Sequence, residues 1–441
     1  MKVEVEVISN ESIKPSSSTP EHLRHYQLSF LDQLSPHTYN PLVFFYELDE
    51  DQQDESTINE TSNKIKKSLS EVLTLFYPLA GRVKNNRFID CNDEGVSYTV
   101  AQVNSTCHLS DAIKNPLPSE LRTFLPFEVH PLTEFVLGVQ LNIFKHGGIA
   151  VGLCLSHQIA DALSCIMFVK TWVAVARGEA DHIARPEFVS AKLFPPLDNS
   201  EFDPNLGITK TAVSKRFVFE ASTIEAIRSK YEEKTRLEGE RRPSRVEALS
   251  AFIWSRYVAA TSDEHSAKSG KVYTVVLPVN LRRKFEPLLP EHSFGNLYRV
   301  SYSMFPSSTL SGEENFGYEA LKKIREGLEM VDMDYLRKVQ QGEDLHLEFL
   351  MEAAKEIFMK GEQLIPFSFT SLCRFPLYDA DFGWGKPAWV SSATLTFDKL
   401  VAFMDTKAGN GIEAYIGLKE EDMAKLEDDK EFIKAVSRPV L

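Results

Sequence analysis

The stretch that most constrains this chain is "IAVGLCLSHQIADALS", residues 149–164. A near-continuous apolar run, 149–155, reads as a strand buried on both faces. "ALSCIMFVKTWVAVARG" (162–178) reads as a mostly buried helix that stops at Gly178. Between them stand His157 and, four residues on, Asp161. Neither is buried without cost unless it is partnered. Whatever forms here places an imidazole and a carboxylate at the junction of two rigid elements, where ligands often bind.

The remaining elements alternate in type. "EVEVISN" reads as a strand and 58–76 as a helix, with Ile65, Leu69, Val72, Leu73 and Phe76 at helical spacing before Pro78 and Gly81 break it. Residues 87–104 read as two strands about "NDEG", and 135–157 as two strands about Gly147-Gly148. From 185 to 214 the pattern collapses into a proline-containing stretch, read as a crossover between an N-terminal domain, 1–190, and a C-terminal domain, 215–441, with 191–214 as the loop. The second half is again mixed: strands at 214–222, 272–282 and 298–306, helices at 223–234, 243–261, 319–340 and 345–361, and a hairpin over 399–418 turning at "AGNG". The fold class is therefore α/β with two similar-sized domains. At 441 residues the chain is long enough for about two or three domains of ~150 residues.

A formal charge of −14 argues against a nucleic-acid partner, whose phosphates demand a basic face. No run of ~18 apolar residues predicts a membrane span, and the N-terminal Val/Glu alternation reads as a strand instead of a signal peptide. The C-terminal "SRPVL" matches no retention or lipidation signal. Cys91, Cys107, Cys154, Cys165 and Cys373 are odd in number and lack CxxC spacing, as expected of reduced thiols in the cytoplasm.

Several readings of the His157–Asp161 pair are open. His157 is a core histidine bonded to backbone, or a general base. Asp161 caps the helix after it, or takes part in chemistry. A metal pair finds no further ligand nearby in sequence, so no metal is expected. Ser156 adjoins His157, and strand neighbours face opposite ways, so a Ser–His dyad is not expected; nor is a GxSxG elbow present. Cys154 lies in the apolar run, which keeps a thiol inert. A base at His157 would activate the substrate directly, with no covalent enzyme intermediate.

A second string, "DFGWG" at 381–385, sets two glycines around Trp384 behind Asp381, the composition of a tight bend clamped by an aromatic ring. Its first three letters spell the kinase magnesium triplet, but no HRD-type loop and no GxGxxG loop precede it. HxxxD at mid-chain and DFGWG near the C-terminus together resemble the plant BAHD acyl-CoA-dependent acyltransferase family, nearest its alkaloid acetyltransferase branch. Further matching stretches are "LSFLDQ" (28–33), "SLSEVLTLFYPLAGR" (68–82), "DCNDEGV" (90–96), "VNLR" (279–282), "GN" (295–296), "SFTSLCR" (368–374) and "MDTKAGNGIEAY" (404–415). The likeness covers essentially the whole chain.

The resemblance implies two chloramphenicol-acetyltransferase-like domains with mixed sheets, the first completed by a returning segment near 362–386, and an active-site channel at their interface. It implies O-acylation of a hydrophobic alcohol such as an alkaloid, with His157 as general base, acyl-CoA (acetyl-CoA foremost) as co-substrate, no permanently bound cofactor and a monomeric enzyme. N-acylation of an amine and a catalytically silent CoA-binding member are the alternatives. Asp161 and Asp381 would be structural, with Arg282 as the partner of Asp161. Ser371 and Asn296 are candidate oxyanion donors. Where the family often has Trp, this chain has Leu372, which removes an indole donor from that string. Because CoA is polyanionic and the protein acidic, local cations are needed; Arg241, Arg242 and Arg245, with Ser244 at a helix start, are the candidates, ahead of Lys215 and Arg216.

Overall fold

The computed structural model describes residues 3–437 apart from 49–54, 105–106, 180–182, 198–204, 206–207, 210, 262–269, 307–315, 344 and 394–395. Much of the expected crossover at 191–214, and all but the first residue of "SRPVL", lie outside the described residues. The chain divides into two compact units. One holds 1–206 with two returning segments, 289–297 and 375–396; the other holds 207–288, 298–374 and 397–441.

The first unit is built on a six-stranded mixed sheet in the order Val5–Ile13, Val96–Val103, Leu137–Ile143, Ile149–Ser156, Tyr39–Tyr46, Trp389–Ser391. Val96–Val103 and Leu137–Ile143 run parallel and the other neighbours antiparallel. Every residue of Ile149–Ser156 is buried, as its unbroken apolar run requires. Leu153 sits between Val139 and Leu42, and Ser156 lies opposite Tyr39. Gly152 is needed for a close approach: a Cβ there would meet the Phe124 carbonyl oxygen at 1.9 Å.

The helix Ala162–Ala176 is apolar nearly all round and correspondingly buried. It lies against the helix Glu55–Leu75, whose Ile65, Leu69, Val72 and Leu73 are fully buried, as is Phe76 just beyond its end. Phe76 meets Phe168 edge-on at 5.4 Å, and Trp172 Nε1 donates to Ser68 Oγ at 3.1 Å. Side chains of this size contribute about 1.5–3 kcal/mol each on burial, so the pair fixes the helix that starts at the HxxxD turn.

The two strands read about "NDEG" exist but do not pair. Phe88–Asp90 joins a small sheet with His25–Gln27 and Arg82–Lys84, while Val96–Val103 belongs to the large one.

The second unit carries a six-stranded mixed sheet in the order Tyr298–Pro306, Lys271–Asn280, Gln363–Ser371, Leu400–Asp405, Ile412–Lys419, Ala212–Phe219. Gln363–Ser371 runs parallel to both neighbours. Pro366 is tolerated in this inner strand because pairing to Leu400–Asp405 begins only at Ser368, so its missing N–H breaks no ladder bond on that side. The helical stretch 319–340 is two helices, Phe316–Glu329 and Met333–Gln340, the second started by Asp332, whose side chain accepts the Tyr335 N–H at 2.8 Å. Trp254, fully buried on the helix Arg245–Thr261, packs on Phe305 at 4.2 Å and anchors this unit's core.

Candidate active site

The strand Ile149–Ser156 ends in a turn closed by the Ile159 N–H on the Ser156 carbonyl, 3.3 Å. His157 opens this turn with its backbone held on both sides. Its N–H donates to the Thr38 carbonyl at 2.8 Å, and its carbonyl accepts from Asn296 Nδ2 at 2.8 Å. The residue as a whole is half-buried, and its ring Nδ1 is fully buried. Burial of the ring holds its pKa below the usual 6.5, against the upward pull of its own carbonyl, the Asp161 charge and the Asn296 side chain. The ring is therefore neutral at pH 7 and able to take a proton.

The nearby thiols are not poised for chemistry. Burial pushes Cys154 far up, and Cys165, beside the Asp161 charge, up to about 12. Ser156 and Gln158, which flank His157 in sequence, line a cavity of 350 Å³ together with His37, His130, Thr133 and Phe135. Among the described residues no three His, Cys, Asp or Glu side chains are grouped to hold a metal.

Asp161 is the N-cap of Ala162–Ala176. Its Oδ1 accepts the Ser164 N–H at 2.8 Å, its backbone carbonyl accepts the Cys165 N–H at 2.9 Å, and its Oδ2 accepts the Leu297 N–H at 3.0 Å. Ser164 Oγ and Gly295 complete the tie, with bonds of 2.9 and 3.0 Å. The carboxylate thus joins the helix start to the returning segment 289–297.

Asn296 lies on that segment, fully buried. Nδ2 donates to the His157 carbonyl and to Asp32 Oδ1, 2.9 Å, so neither amide hydrogen is left for an oxyanion. In this geometry the side chain, read from sequence as a candidate oxyanion donor, holds the backbone of His157. Asp32, which sequence reasoning did not single out, is fully buried and also takes the Asn296 N–H at 3.0 Å. Its other oxygen accepts the Ser29 N–H and Oγ–H at 2.9 and 2.6 Å. Burial raises its pKa while these donors oppose the rise. The Ser29-x-x-Asp32 spacing of a capping box was the available signal.

Ser371, Arg282 and the basic candidates belong to the second unit. Ser371 ends the strand Gln363–Ser371 opposite Phe403, and its Oγ accepts the Cys373 N–H at 3.2 Å. Arg282 is buried in the 3-10 turn Leu281–Lys284, which Asn280 caps by accepting the Arg282 N–H at 3.1 Å. Arg241 binds both carboxylate oxygens of Glu247, and Arg242 pairs with Glu225 and with Glu232 at 2.8 Å. Arg245 pairs with Asp405 at 2.7 Å, Lys215 with Glu427 at 2.7 Å and Arg216 with Glu413 at 3.3 Å. The helix start at Ser244 is filled by the protein itself: Glu247 accepts the Ser244 N–H at 2.8 Å and donates its own N–H to Ser244 Oγ at 3.1 Å. The seat read from sequence as a phosphate site therefore holds the Glu247 carboxylate.

Asp381 is in the first unit. Its Oδ1 accepts the N–H groups of Gly383 and Gly385 at 2.6 and 3.0 Å, both glycines having positive φ. Phe382 stacks on Trp384 and meets Trp172 edge-on. Arg177, the C-cap of Ala162–Ala176, donates to the Asp381 carbonyl at 2.6 Å. DFGWG thus closes the end of this helix opposite to Asp161, roughly 22 Å away at 1.5 Å per residue.

Comparison with known proteins places this geometry. The family model described as the Transferase family matches residues 3–433. The chain is 36% identical over 441 residues to limonoid 21-O-acetyltransferase of Melia azedarach, covering 98% of each. It is 37% identical over 436 residues to vinorine synthase of Rauvolfia serpentina, covering 97% of each. The crystal structure of vinorine synthase matches with a TM-score of 0.82, over 98% of this chain and 99% of that one. TRI101 of F. graminearum, solved with coenzyme A and T-2 mycotoxin, shares the fold at 18% identity and a TM-score of 0.70, over 94% of this chain and 99% of that one. Two mixed-sheet α/β units, HxxxD and DFGWG at the expected places and end-to-end similarity lead to one assignment: the chain belongs to the Transferase family of BAHD acyl-CoA-dependent acyltransferases.

Proposed function

We propose that this enzyme transfers an acetyl group from acetyl-CoA to the hydroxyl of a hydrophobic specialised metabolite, an alkaloid or a limonoid, with His157 as general base. The observation that carries the reading is a neutral imidazole on a half-buried residue fixed by its backbone at a strand end, in a chain of this family. His157 takes the hydroxyl proton as the oxygen attacks the thioester carbonyl. A tetrahedral oxyanion forms, the C–S bond breaks, and the imidazolium returns the proton to the departing thiolate. With Cys154 and Cys165 held as thiols, direct transfer in a ternary complex is the route that fits. Ser371 is the remaining candidate for an oxyanion donor.

The printed names of relatives support the acceptor class: limonoid 21-O-acetyltransferase and, from Catharanthus roseus, stemmadenine O-acetyltransferase. A monomer working in the cytoplasm is part of the proposal. Among the described residues no helix is long and apolar enough to cross a membrane.

Acetyl-CoA, offered with paired hydrophobic alcohols and their amine counterparts, tests the proposal through free thiol and product mass. Alcohols should gain one acetyl group with stoichiometric thiol. Acetylation of amines alone would replace it with N-acyl transfer. Thiol release without an acceptor would indicate a hydrolase, and no release a silent CoA-binding member.

A further inference from the structure

Asn296 is a carboxamide with a fixed orientation. Both groups within reach of its nitrogen, Asp32 Oδ1 and the His157 carbonyl, are acceptors, so the NH₂ side of the amide must face them. The Asp32 carboxylate is held in turn by the Ser29 N–H and Oγ–H and the Asn296 N–H, with Ser190 Oγ at 3.4 Å. A flipped amide would set its oxygen against that buried carboxylate, which is strongly unfavourable. Oδ1 is thereby directed away from Asp32. It is buried and receives no hydrogen bond among the described residues.

We propose that Asp32 is a positioning residue for acyl transfer: it locks the Asn296 amide so that Nδ2 clamps the His157 carbonyl and Oδ1 stands ready to accept an N–H from the imidazolium. The proposal rests on His157 acting as the base. When the ring takes the acceptor's proton, the acceptor O–H bond breaks and a ring N–H forms. The new N–H sits on the nitrogen that faces the acceptor substrate; the N–H on the other ring nitrogen, present in both states, becomes charge-assisted and binds its acceptor more strongly once the ring is protonated. Asn296 supplies that acceptor without moving, and the proton leaves on the thiolate sulfur. The influence of the Asn296 side chain on the ring, which favours its protonated form, agrees in sign. Asp161 also acts on the ring through its charge, while its oxygens accept from the N–H groups of Ser164 and Leu297.

The test is an NMR titration of the His157 ring in the full chain labelled with ¹³C-histidine, assigned by the signal lost in His157→Ala. It needs no acceptor substrate, so it is independent of whether His157 is the base. Asn296→Ala and Asp32→Asn should each lower the His157 pKa by roughly one unit, the scale of a lost hydrogen bond to a charged group. With the best alcohol of the panel, kcat should fall about 10–100-fold with little change in KM. A role confined to stability predicts the reverse: loosened packing hydrates the ring and moves its pKa up toward 6.5. A pKa that rises or stays in both variants overturns the proposal. If neither variant folds, wild type decides: on acidification the His157 N–H signal should be a slowly exchanging, hydrogen-bonded proton, and a freely exchanging one overturns it. An inert His157→Ala enzyme beside unmoved pKa values would remove the positioning role and leave the base in place.

Discussion

Asp161 accepts the backbone N–H of Leu297 at 3.0 Å through one carboxylate oxygen while the other caps its own helix at Ser164. A residue four positions after the proposed base thus spends both oxygens on backbone, joining segments 136 residues apart in sequence. Asp161→Asn keeps one acceptor and turns an NH₂ toward the other N–H. The expected cost is about 2–3 kcal/mol, which lowers Tm by roughly 5–10 °C and reduces soluble yield. Turnover per folded molecule should survive. A variant with unchanged melting and no turnover would assign Asp161 a direct part in the chemistry.

Asp381→Ala unhooks the DFGWG loop from the N–H groups of Gly383 and Gly385. Stability should drop by about 1–3 kcal/mol. The KM values for acyl-CoA and acceptor should remain within about twofold of wild type, because the loop closes the helix end remote from His157. A fall in kcat beyond the loss of folded enzyme, measured by active-site titration, would contradict a structural role.

Arg241→Ala distinguishes a CoA site from an internal ion pair. Arg241 is 63% exposed and Glu247 is 8% exposed, so screening discounts the pair and the helix cap it completes to about 1–2 kcal/mol. Burial pushes the Glu247 carboxyl up, but its bonds to Arg241 and Ser244 outweigh that and hold it below 4.5. A depressed carboxyl contributes stability that is present above 4.5 and lost as pH falls through its folded value. Arg241→Ala should therefore lower Tm at pH 7 and weaken the acid dependence, with the KM for acetyl-CoA unchanged. A donor KM that rises while melting stays constant would restore the phosphate-seat reading.

The rate should follow the His157 titration. Burial lowers the pKa below 6.5, so the base form fills as pH rises through that lowered value. The acid limb of kcat/KM is expected below pH 6.5, with a plateau through neutrality. A limb centred clearly above 6.5 would mean that another group, or a ring with a raised pKa, controls the rate.

What could be read from sequence was local. The helix Glu55–Leu75 and the buried strand Ile149–Ser156 follow from apolar periodicity, and the Asp161 cap from its position before an apolar helix. The strand Gln363–Ser371 escaped notice because Pro366 argues against an inner strand, and only pairing partners distant in sequence explain its tolerance. The Arg241–Arg245 cluster looked basic because Glu225 and Asp405, which neutralise part of it, stand up to 160 residues away. Asn296 shows the same limit. Its residue type allows an oxyanion donor, but Asp32, 264 positions earlier, takes one amide hydrogen and the His157 carbonyl takes the other.

The central claim is tested most directly by His157→Ala, assayed with acetyl-CoA and an alcohol that the wild type acetylates, with Tm measured alongside. The account predicts turnover reduced by ~10²–10⁴-fold at nearly unchanged Tm. A folded His157→Ala enzyme that releases thiol and forms ester at a near wild-type rate would contradict it.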